Sequence, residues 1–239
     1  CKAREFKCKK CTNGAHVQSS GPAVISLGMD QKLECVGAFR YLGDTIGVGG
    51  GAEDASRARV RCAWAKFREL APILASRGAS LRVKGKIYRA CVQRVLVYGS
   101  ETWPMKSEDL LRLERAERMM WRWMCGVKLE DRRPSTELCK CLDVEPVADV
   151  VRRGRLRWFG HVERKSGKDW VSACRGFVVG SVQGRCRGRP KKTWDECVGQ
   201  DLRRLGLRRE SAQDRMEWRC LIVGNRPTRA EHGKMDVKR

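Results

Sequence analysis

Two cysteines near the start of the chain have the spacing of a metal-ligand pair. Cys8 and Cys11 are separated by two residues, and thiolates at this spacing are typical ligands of structural zinc sites. A tetrahedral zinc ion takes four ligands, and no other cysteine or histidine nearby completes a familiar spacing. We therefore expect Cys8 and Cys11 to bind zinc only together with ligands that precede residue 1. The alternative is a pair of ordinary surface thiols.

A basic segment towards the end of the chain, residues 184–192, contains Arg-Gly-Arg-Pro, the core of the AT-hook. In an AT-hook, an extended chain lies in the minor groove of A·T-rich DNA, where guanidinium groups meet a narrow, negative slot. Two interpretations stay open: a minor-groove hook, or a basic loop that leads into a helix just after Pro190. The first interpretation assigns DNA contacts to Arg185, Arg187, Arg189, Lys191 and Lys192.

A third candidate is one edge of a helix that the apolar pattern predicts at about residues 147–164. Arg153, Arg157 and Arg164 share this edge on a helical wheel. A cationic edge of this kind can follow a phosphate backbone without reading base sequence. The same wheel predicts a buried face made of Val147, Val151, Gly154, Trp158 and Val162, with His161 beside it as a core histidine.

The sequence contains no recognisable catalytic constellation. It has no nucleophile elbow, and the glycine cluster at 49–51 lacks the Lys-Ser/Thr that completes a phosphate-binding loop. Two-metal phosphoryl transfer needs convergent carboxylates, whereas the acidic pairs here lie at predicted helix starts or in polar loops. These pairs are Glu53-Asp54, Glu108-Asp109 and Glu130-Asp131. We therefore predict no catalytic residue in this chain and interpret the pairs as helix-capping groups.

The charge of the chain indicates the class of its partner. The 239 residues include 51 Lys and Arg against 28 Asp and Glu, which gives a net charge of +23. Residues 150–239 hold 24 of the basic side chains but only 10 of the acidic ones. A surplus of this size favours a polyanionic partner, so nucleic acid is the first candidate, ahead of a membrane surface or an acidic protein.

The pattern of cysteines and apolar residues indicates the compartment. No apolar run approaches the ~18 residues that cross a bilayer, so we predict no membrane-spanning segment. Most of the 13 cysteines are scattered singly, and nothing resembles a secretory signal. We therefore expect a reducing intracellular compartment, either the cytoplasm or the nucleus.

The spacing of apolar residues predicts a mostly α-helical fold with a small β element at its N-terminal end. Residues 32–46 are rich in strand formers, whereas a helical period begins at Glu53. One helix should begin at Ser107 and stop at Gly126, with a core face of Leu110, Leu113, Met120 and Trp123. The other helices are predicted at about 53–71, 81–98, 135–142, 147–164, 192–205 and 211–223, with a loop at 165–191.

Several short stretches resemble, in the same order, the C-terminal region of reverse transcriptases from non-LTR (LINE-type) retrotransposons. The resemblance covers about residues 6–220, and we expect the chain to be part of a longer protein. Its motifs are Phe39-Arg40-Tyr41-Leu42-Gly43-Asp44, Tyr98-Gly99-Ser100-Glu101-Thr102-Trp103, Met124-Cys125-Gly126-Val127, the run from Arg155 to Arg164, and Gly188-Arg189-Pro190-Lys191-Lys192-Thr193-Trp194.

The resemblance implies four regions. Residues 1–14 are the remnant of a zinc-binding unit, because Phe6-Lys7-Cys8-Lys9-Lys10-Cys11 resembles its last ligand pair. Residues 15–51 are a β element that contains the primer-grip-like strand, with Tyr41, Leu42 and Gly43 against the primer. Residues 52–127 form a thumb-like helical bundle, and residues 128–239 form a basic helical C-terminal region.

The resemblance also implies a function without the machinery that makes bonds. In the family, the catalytic aspartates precede the primer grip, and this sequence does not contain them. We therefore expect a fragment that holds an RNA template, a DNA primer or target DNA by its phosphates. Mg²⁺ is expected for the full-length parent but not for this chain. The alternative is a non-enzymatic, AT-hook-like DNA-binding module.

Overall fold

The computed structural model of the chain describes residues 24–26, 32–47, 50–165, 170 and 191–223. Two antiparallel strand pairs occupy the N-terminal part of this range, and helices make up nearly all of the rest. The strands are β1 (Val24–Ser26), β2 (Lys32–Glu34), β3 (Ala38–Tyr41) and β4 (Asp44–Gly47), and they pair β1 with β2 and β3 with β4. The predicted fold class, mostly α with a small N-terminal β element, is confirmed.

The helices follow the predicted order, and their ends carry recognisable stop and start signals. They are α1 (Glu53–Glu69), α2 (Ala71–Leu74), α3 (Leu81–Ile87), a π turn (Tyr88–Val92), α4 (Gln93–Leu96), α5 (Ser107–Cys125), α6 (Ser135–Leu142), α7 (Val147–Glu163), α8 (Trp194–Leu205) and α9 (Arg215–Val223). Gly126 ends α5 with a φ of +67°, a conformation that favours glycine. Thr193 and Glu196 form a capping box at the start of α8.

The last helix starts later than predicted. A 3-10 turn occupies Glu210–Ala212, and α9 begins at Arg215. The Asp214 carboxylate accepts hydrogen bonds from the Met216 and Glu217 amides at 2.7 and 3.0 Å. A side-chain carboxylate that accepts from the second and third amides fixes a helix start at this position.

Two apolar clusters hold the helices together, and α7 runs through both. The first joins α1 and α2 through to the start of α7, and its largest buried side chains include Phe67, Leu74, Tyr88, Leu113 and Met120. The second is smaller and joins α7 to α8 and α9 through Leu156, Phe159, Val198, Leu202, Ala212, Trp218 and Ile222. In the part of the chain that the structure describes, no helix is long and apolar enough to cross a membrane.

The predicted buried faces of α5 and α7 are wrong at their tryptophans, and the prediction of His161 as a core histidine is also wrong, because His161 is exposed. Trp123 is 63% exposed, and Trp121 is the buried tryptophan of α5. Trp158 is 38% exposed, whereas the next residue, Phe159, is fully buried. Packing against α9 determines which residues of the second half of α7 are buried, because the Trp218 indole lies against Gly160 and donates a hydrogen bond to the Leu156 carbonyl at 2.9 Å.

Candidate nucleic-acid interface

The segment from α3 to α4 presents an uninterrupted cationic face. Residues 70–100 contain no aspartate or glutamate. Within residues 81–96, from α3 to α4, four basic side chains are exposed, and none forms an ion pair with any carboxylate among the described residues. We call these residues the α3–α4 stripe: Arg82, Lys86, Arg89 and Arg94.

The π turn aligns the stripe. Arg82, Lys86 and Arg89 are four and three places apart, so they lie on one face of a helix. Arg94 follows five places later and would be rotated by about 140° from Arg89 in a regular helix. The π turn at Tyr88–Val92 accommodates one extra residue and removes about 100° of that rotation. As a result, Arg94 lies close to the same face as the other three cations.

A buried polar network fixes the π turn from the inside. Glu117 of α5 accepts hydrogen bonds through Oε1 from the Tyr88 hydroxyl and the Gln93 amide, both at 3.1 Å. Its other oxygen accepts from the Val147 amide, at the first position of α7, at 2.7 Å. The Gln93 amide also donates to the Glu145 carbonyl at 2.6 Å. One carboxylate therefore joins the π turn to two other helices.

The same burial perturbs the titration of this network. Burial raises the pKa of Glu117 to about 7, and the hydrogen bonds from Val147, Gln93 and Tyr88 only partly oppose the shift. The pKa of Tyr88 also rises, because of its own burial and the neighbouring Glu117 carboxylate. The charge of Glu117 is therefore sensitive to pH near neutrality, far from its usual range.

Close packing holds the inner face of α3 against α5 and α6. The Lys84 ammonium is buried and donates a hydrogen bond to the Met124 carbonyl, near the C-terminal end of α5, at 2.9 Å. Gly85 lies so close to the Leu142 carbonyl that a Cβ atom at this position would overlap it. With this face fixed, the α3–α4 stripe can point only to solvent.

The hairpin turn between β3 and β4 contains the predicted primer-grip residues. Leu42 and Gly43 have φ angles of 47° and 80°, as in a type I′ turn. The Tyr98 hydroxyl donates to the Leu42 carbonyl at 2.9 Å, and Arg59 donates to the Gly43 carbonyl while its guanidinium stacks on the Tyr98 ring. Tyr41, Leu42 and Gly43 are exposed, and their contact with a primer stays a prediction.

The motifs that carry the resemblance contact one another. The Trp103 indole donates to the Asp44 carboxylate at 2.8 Å, which joins the Tyr-Leu-Gly-Asp turn to the Tyr-Gly-Ser-Glu-Thr-Trp segment. The Trp194 indole donates to the Glu101 carbonyl at 2.7 Å, which brings the start of α8 to the same segment. These motif residues therefore have a structural role in joining the hairpin, the body and the C-terminal helices.

The predicted arginine edge of α7 is mostly engaged inside the protein. Arg153 forms a two-bond ion pair with Glu145, one bond of which measures 2.7 Å. Arg164 donates to the Ala212 carbonyl at 2.6 Å. Arg157 is exposed and has no hydrogen-bond or ion-pair partner among the described residues. A phosphate contact by Arg153 or Arg164 stays a prediction, and it would have to displace these partners.

The remaining arginines of α7 join it to α8. Arg155 is buried and pairs with Asp201 at 2.8 Å, and Arg152 pairs with Asp149 at 2.7 Å and lies 3.7 Å from Asp201. Burial raises the pKa of Asp201, and the two arginines oppose this shift. These charges therefore stabilise the junction between the two helices.

Most of the other predicted site residues, those of the zinc pair and the AT-hook, lie outside the described part of the chain. Lys191 is exposed and Lys192 is partly buried, close enough to Asp201 to attract it. Cys8, Cys11, Arg185, Arg187 and Arg189 lie outside the described residues. Among the residues that the structure describes, no group of three or more His, Cys, Asp or Glu side chains could hold a metal ion. The zinc and AT-hook interpretations stay predictions.

Sequence reasoning missed the α3–α4 stripe although a signal was present. The sequence has no acidic residue between Glu69 and Glu101, whereas six basic residues lie in this interval. The net charge of residues 1–149 as a whole does not reveal the stripe, because the neighbouring helices carry many acidic residues. A charge count over a window of one helix would have found it.

The sequence is similar to an uncharacterized transposon-derived protein of Caenorhabditis elegans. The two are 22% identical over 205 residues, which are 81% of this chain and 73% of that protein. No family model and no solved structure matches the chain. The similarity supports a transposon origin at the coarse level and does not distinguish between kinds of transposon protein.

Proposed function

We propose that this chain is the nucleic-acid-holding, C-terminal part of an RNA-directed DNA polymerase from a non-LTR retrotransposon. The observation that carries the proposal is the α3–α4 stripe, whose four cations are exposed and lack carboxylate partners in the described part of the chain. The ordered motif resemblance and the similarity to a transposon-derived protein support the polymerase part of the proposal.

The dimensions of the stripe suit a phosphate backbone. From Arg82 to Arg94 the helix rises by about 18 Å at 1.5 Å per residue. This is about half a turn of duplex, whose full turn is about 34 Å. The stripe therefore runs along one strand through backbone contacts that are independent of base sequence. The packed inner face of α3 fixes the backbone that carries the cations before nucleic acid binds, which lowers the entropy lost on binding.

The salt dependence of binding tests the stripe. A variant with Arg82→Gln, Lys86→Gln, Arg89→Gln and Arg94→Gln is compared with wild type in fluorescence anisotropy titrations of a duplex DNA and an RNA–DNA hybrid. We expect the slope of log affinity against log salt on the DNA duplex to become shallower by about 3 to 4, at about 0.9 for each lost phosphate contact.

A matched control removes the same charge from paired positions. Four basic residues elsewhere form surface ion pairs, which contribute little stability: Arg57, Lys66, Arg118 and Arg133. Their joint replacement by glutamine should change the slope by less than one. Equal changes in the two variants would show that the net charge, and not the stripe, binds nucleic acid, and the stripe assignment would be wrong.

The polymerase assignment has its own tests. The chain alone should show no primer extension with Mg²⁺ present, because it contains no catalytic aspartate turn. The reading frame before residue 1 should encode an Asp-Asp turn and two further zinc ligands. Without them, the polymerase assignment is wrong even if the stripe binds nucleic acid. Binding that prefers A·T duplexes and is abolished by Arg189→Ala would favour the AT-hook alternative instead.

A further inference from the structure

An exposed aromatic stack lies on the outer face of α7. The rings of Trp158 and His161 are 5.3 Å apart with an angle of 29° between their planes. Both residues are exposed, and so is the neighbouring Arg157, which has no partner in the described part of the chain. One turn earlier, Gly154 leaves open space, because a Cβ atom there would meet nothing within 4 Å. The surface of α7 at Gly154 is therefore open.

The described fold does not use this stack. Phe159, the neighbour of Trp158, fills the core between α7 and α9. The partly buried tryptophans Trp64 and Trp194 each have an internal role, since Trp64 packs on Phe67 and Trp194 donates to a backbone carbonyl. The Trp158 indole makes no hydrogen bond to any described residue. Part of the Trp158 ring, which is 38% exposed, is therefore accessible to a ligand.

The arrangement matches the needs of an unpaired nucleotide. Gly154 lies one helical turn before Trp158 on the same side of α7, and no side-chain atom lies within 4 Å of the Cβ position there. The His161 ring stacks on the Trp158 ring and leaves part of the indole exposed. A base can stack on the exposed part of the indole, and Arg157, which is one helical turn before His161 on the same side of α7, is available for the adjoining phosphate.

We propose that Trp158, His161 and Arg157 form a stacking platform for an unpaired base of a single-stranded nucleic acid. The proposal rests on the proposed function only in taking nucleic acid as the partner, and it concerns a different surface from the α3–α4 stripe. In a duplex, the neighbouring base pairs cover both faces of each base by stacking on it. The platform should therefore distinguish single strands from duplexes, which the stripe does not.

Alanine substitution at Trp158 tests the platform against a matched control. Anisotropy titrations compare Trp158→Ala with Trp123→Ala, which removes another exposed tryptophan that has no ring partner in the described structure. We expect Trp158→Ala to weaken binding of a single-stranded oligonucleotide roughly 5- to 100-fold, as for loss of one stacked base. Duplex affinity should not change, and Trp123→Ala should have no effect on either ligand.

A second variant of Trp158 and a photocrosslink test the platform independently of the alanine substitution. Trp158→Leu keeps apolar bulk but removes the aromatic face, so it should also lose single-strand affinity while it melts at the wild-type temperature. A 5-iodouridine oligonucleotide irradiated with the wild-type protein should crosslink to the peptide that contains Trp158. Equal losses in Trp158→Ala and Trp123→Ala, or no crosslink in this peptide, would overturn the platform.

The outcomes also separate the platform from the stripe. If the stripe variant loses duplex binding while Trp158→Ala and Trp158→Leu keep full single-strand affinity, the platform is wrong and the proposed function stands. If the wild-type protein binds neither single strands nor duplexes, both proposals are wrong. If single-strand affinity falls in the Trp158 variants while the stripe variant binds duplex normally, only the platform stands.

Discussion

The α3–α4 stripe and the arginines of α7 are both cationic, but they differ in what surrounds them. The four stripe residues are exposed and have no ion-pair partner in the described structure. By contrast, Arg152, Arg153 and Arg155 of α7 all pair with carboxylates, two of them across the junction with α8. Positive charge therefore stabilises the fold at these three arginines of α7, whereas in the stripe it is free to bind an external anion.

The difference has an energetic origin. A buried ion pair joins groups that have already lost their water, so the removal of one partner leaves an uncompensated charge. An exposed lone cation keeps its hydration, and its removal changes the folding free energy little. An external phosphate can therefore approach the stripe without breaking any internal pair. The same phosphate at α7 would compete with Glu145 or Asp201 for its arginine.

The largest loss of folding stability should come from replacing Arg155, which is buried and pairs with Asp201. We expect Arg155→Ala to lower the free energy of unfolding by roughly 3–5 kcal/mol, towards the lower end because Arg152 still attracts Asp201. Urea unfolding measures the loss. Arg89→Ala in the stripe is the control and should stay within about 0.5 kcal/mol of wild type. Similar losses in the two variants would remove the distinction between the helices.

A double replacement sharpens this test. Arg155→Met with Asp201→Leu removes both charges and keeps apolar volume at the junction. Because a buried pair replaced as a whole leaves no lone charge, the double variant should recover most of the stability that Arg155→Ala loses. No recovery would mean that Arg155 stabilises the junction mainly through the packing of its side chain, not through its charge.

The next largest change in stability should come from Glu117. Its carboxylate contacts the α3–α4 segment through Tyr88 and Gln93, and α7 through the Val147 amide. Its pKa in the folded protein is about 7, above the value of about 4.3 for a free glutamate. A carboxyl group whose pKa is higher in the folded than in the unfolded protein makes its full contribution to stability at pH values below the unfolded pKa. This contribution is lost as the pH rises through the folded value. The free energy of unfolding should therefore fall by roughly 3 kcal/mol between about pH 4 and pH 7.

Urea unfolding at a series of pH values measures this dependence. Glu117→Gln cannot ionise, so its unfolding free energy should be nearly flat over the same range apart from the titration of other groups. Glu114, which also raises the pKa of Glu117, provides the matched control as Glu114→Gln. This variant should keep most of the pH dependence. If Glu117→Gln shows the wild-type slope, the network does not titrate as the structure indicates.

Local patterns predicted the helices well because helix ends carry local signals. The start of α5 at Ser107 and its stop at Gly126 are confirmed, since a helix terminus depends on a few neighbouring residues. The α3–π–α4 segment was predicted as one helix, but its π turn was missed. That turn depends on Glu117 of a distant helix, which accepts from Tyr88 and Gln93.

The faces and partners of α7 were beyond a local pattern. Trp158 and Phe159 lie seven and eight places after Val151, so a helical period admits either as a core residue. The choice depends on Trp218, which packs on the Phe159 side of the helix. Likewise, Arg155 pairs with a residue 46 places away. Sequence spacing identifies ion pairs within a helix, but not pairs between helices.

The smallest expected changes in the free energy of unfolding come from two glycines, one in α3 and one in α7. Gly85 of α3 lies against the Leu142 carbonyl, whereas Gly154 of α7 borders open space. Gly85→Ala should lower the unfolding free energy by roughly 1–3 kcal/mol, because its methyl group forces α3 away from α6. Gly154→Ala should raise it by up to about 1 kcal/mol, because alanine favours a helix. Urea unfolding of the two variants should therefore give changes of opposite sign. If Gly85→Ala is as stable as Gly154→Ala, α3 does not pack tightly against α6. The backbone that carries the stripe would then not be fixed before nucleic acid binds.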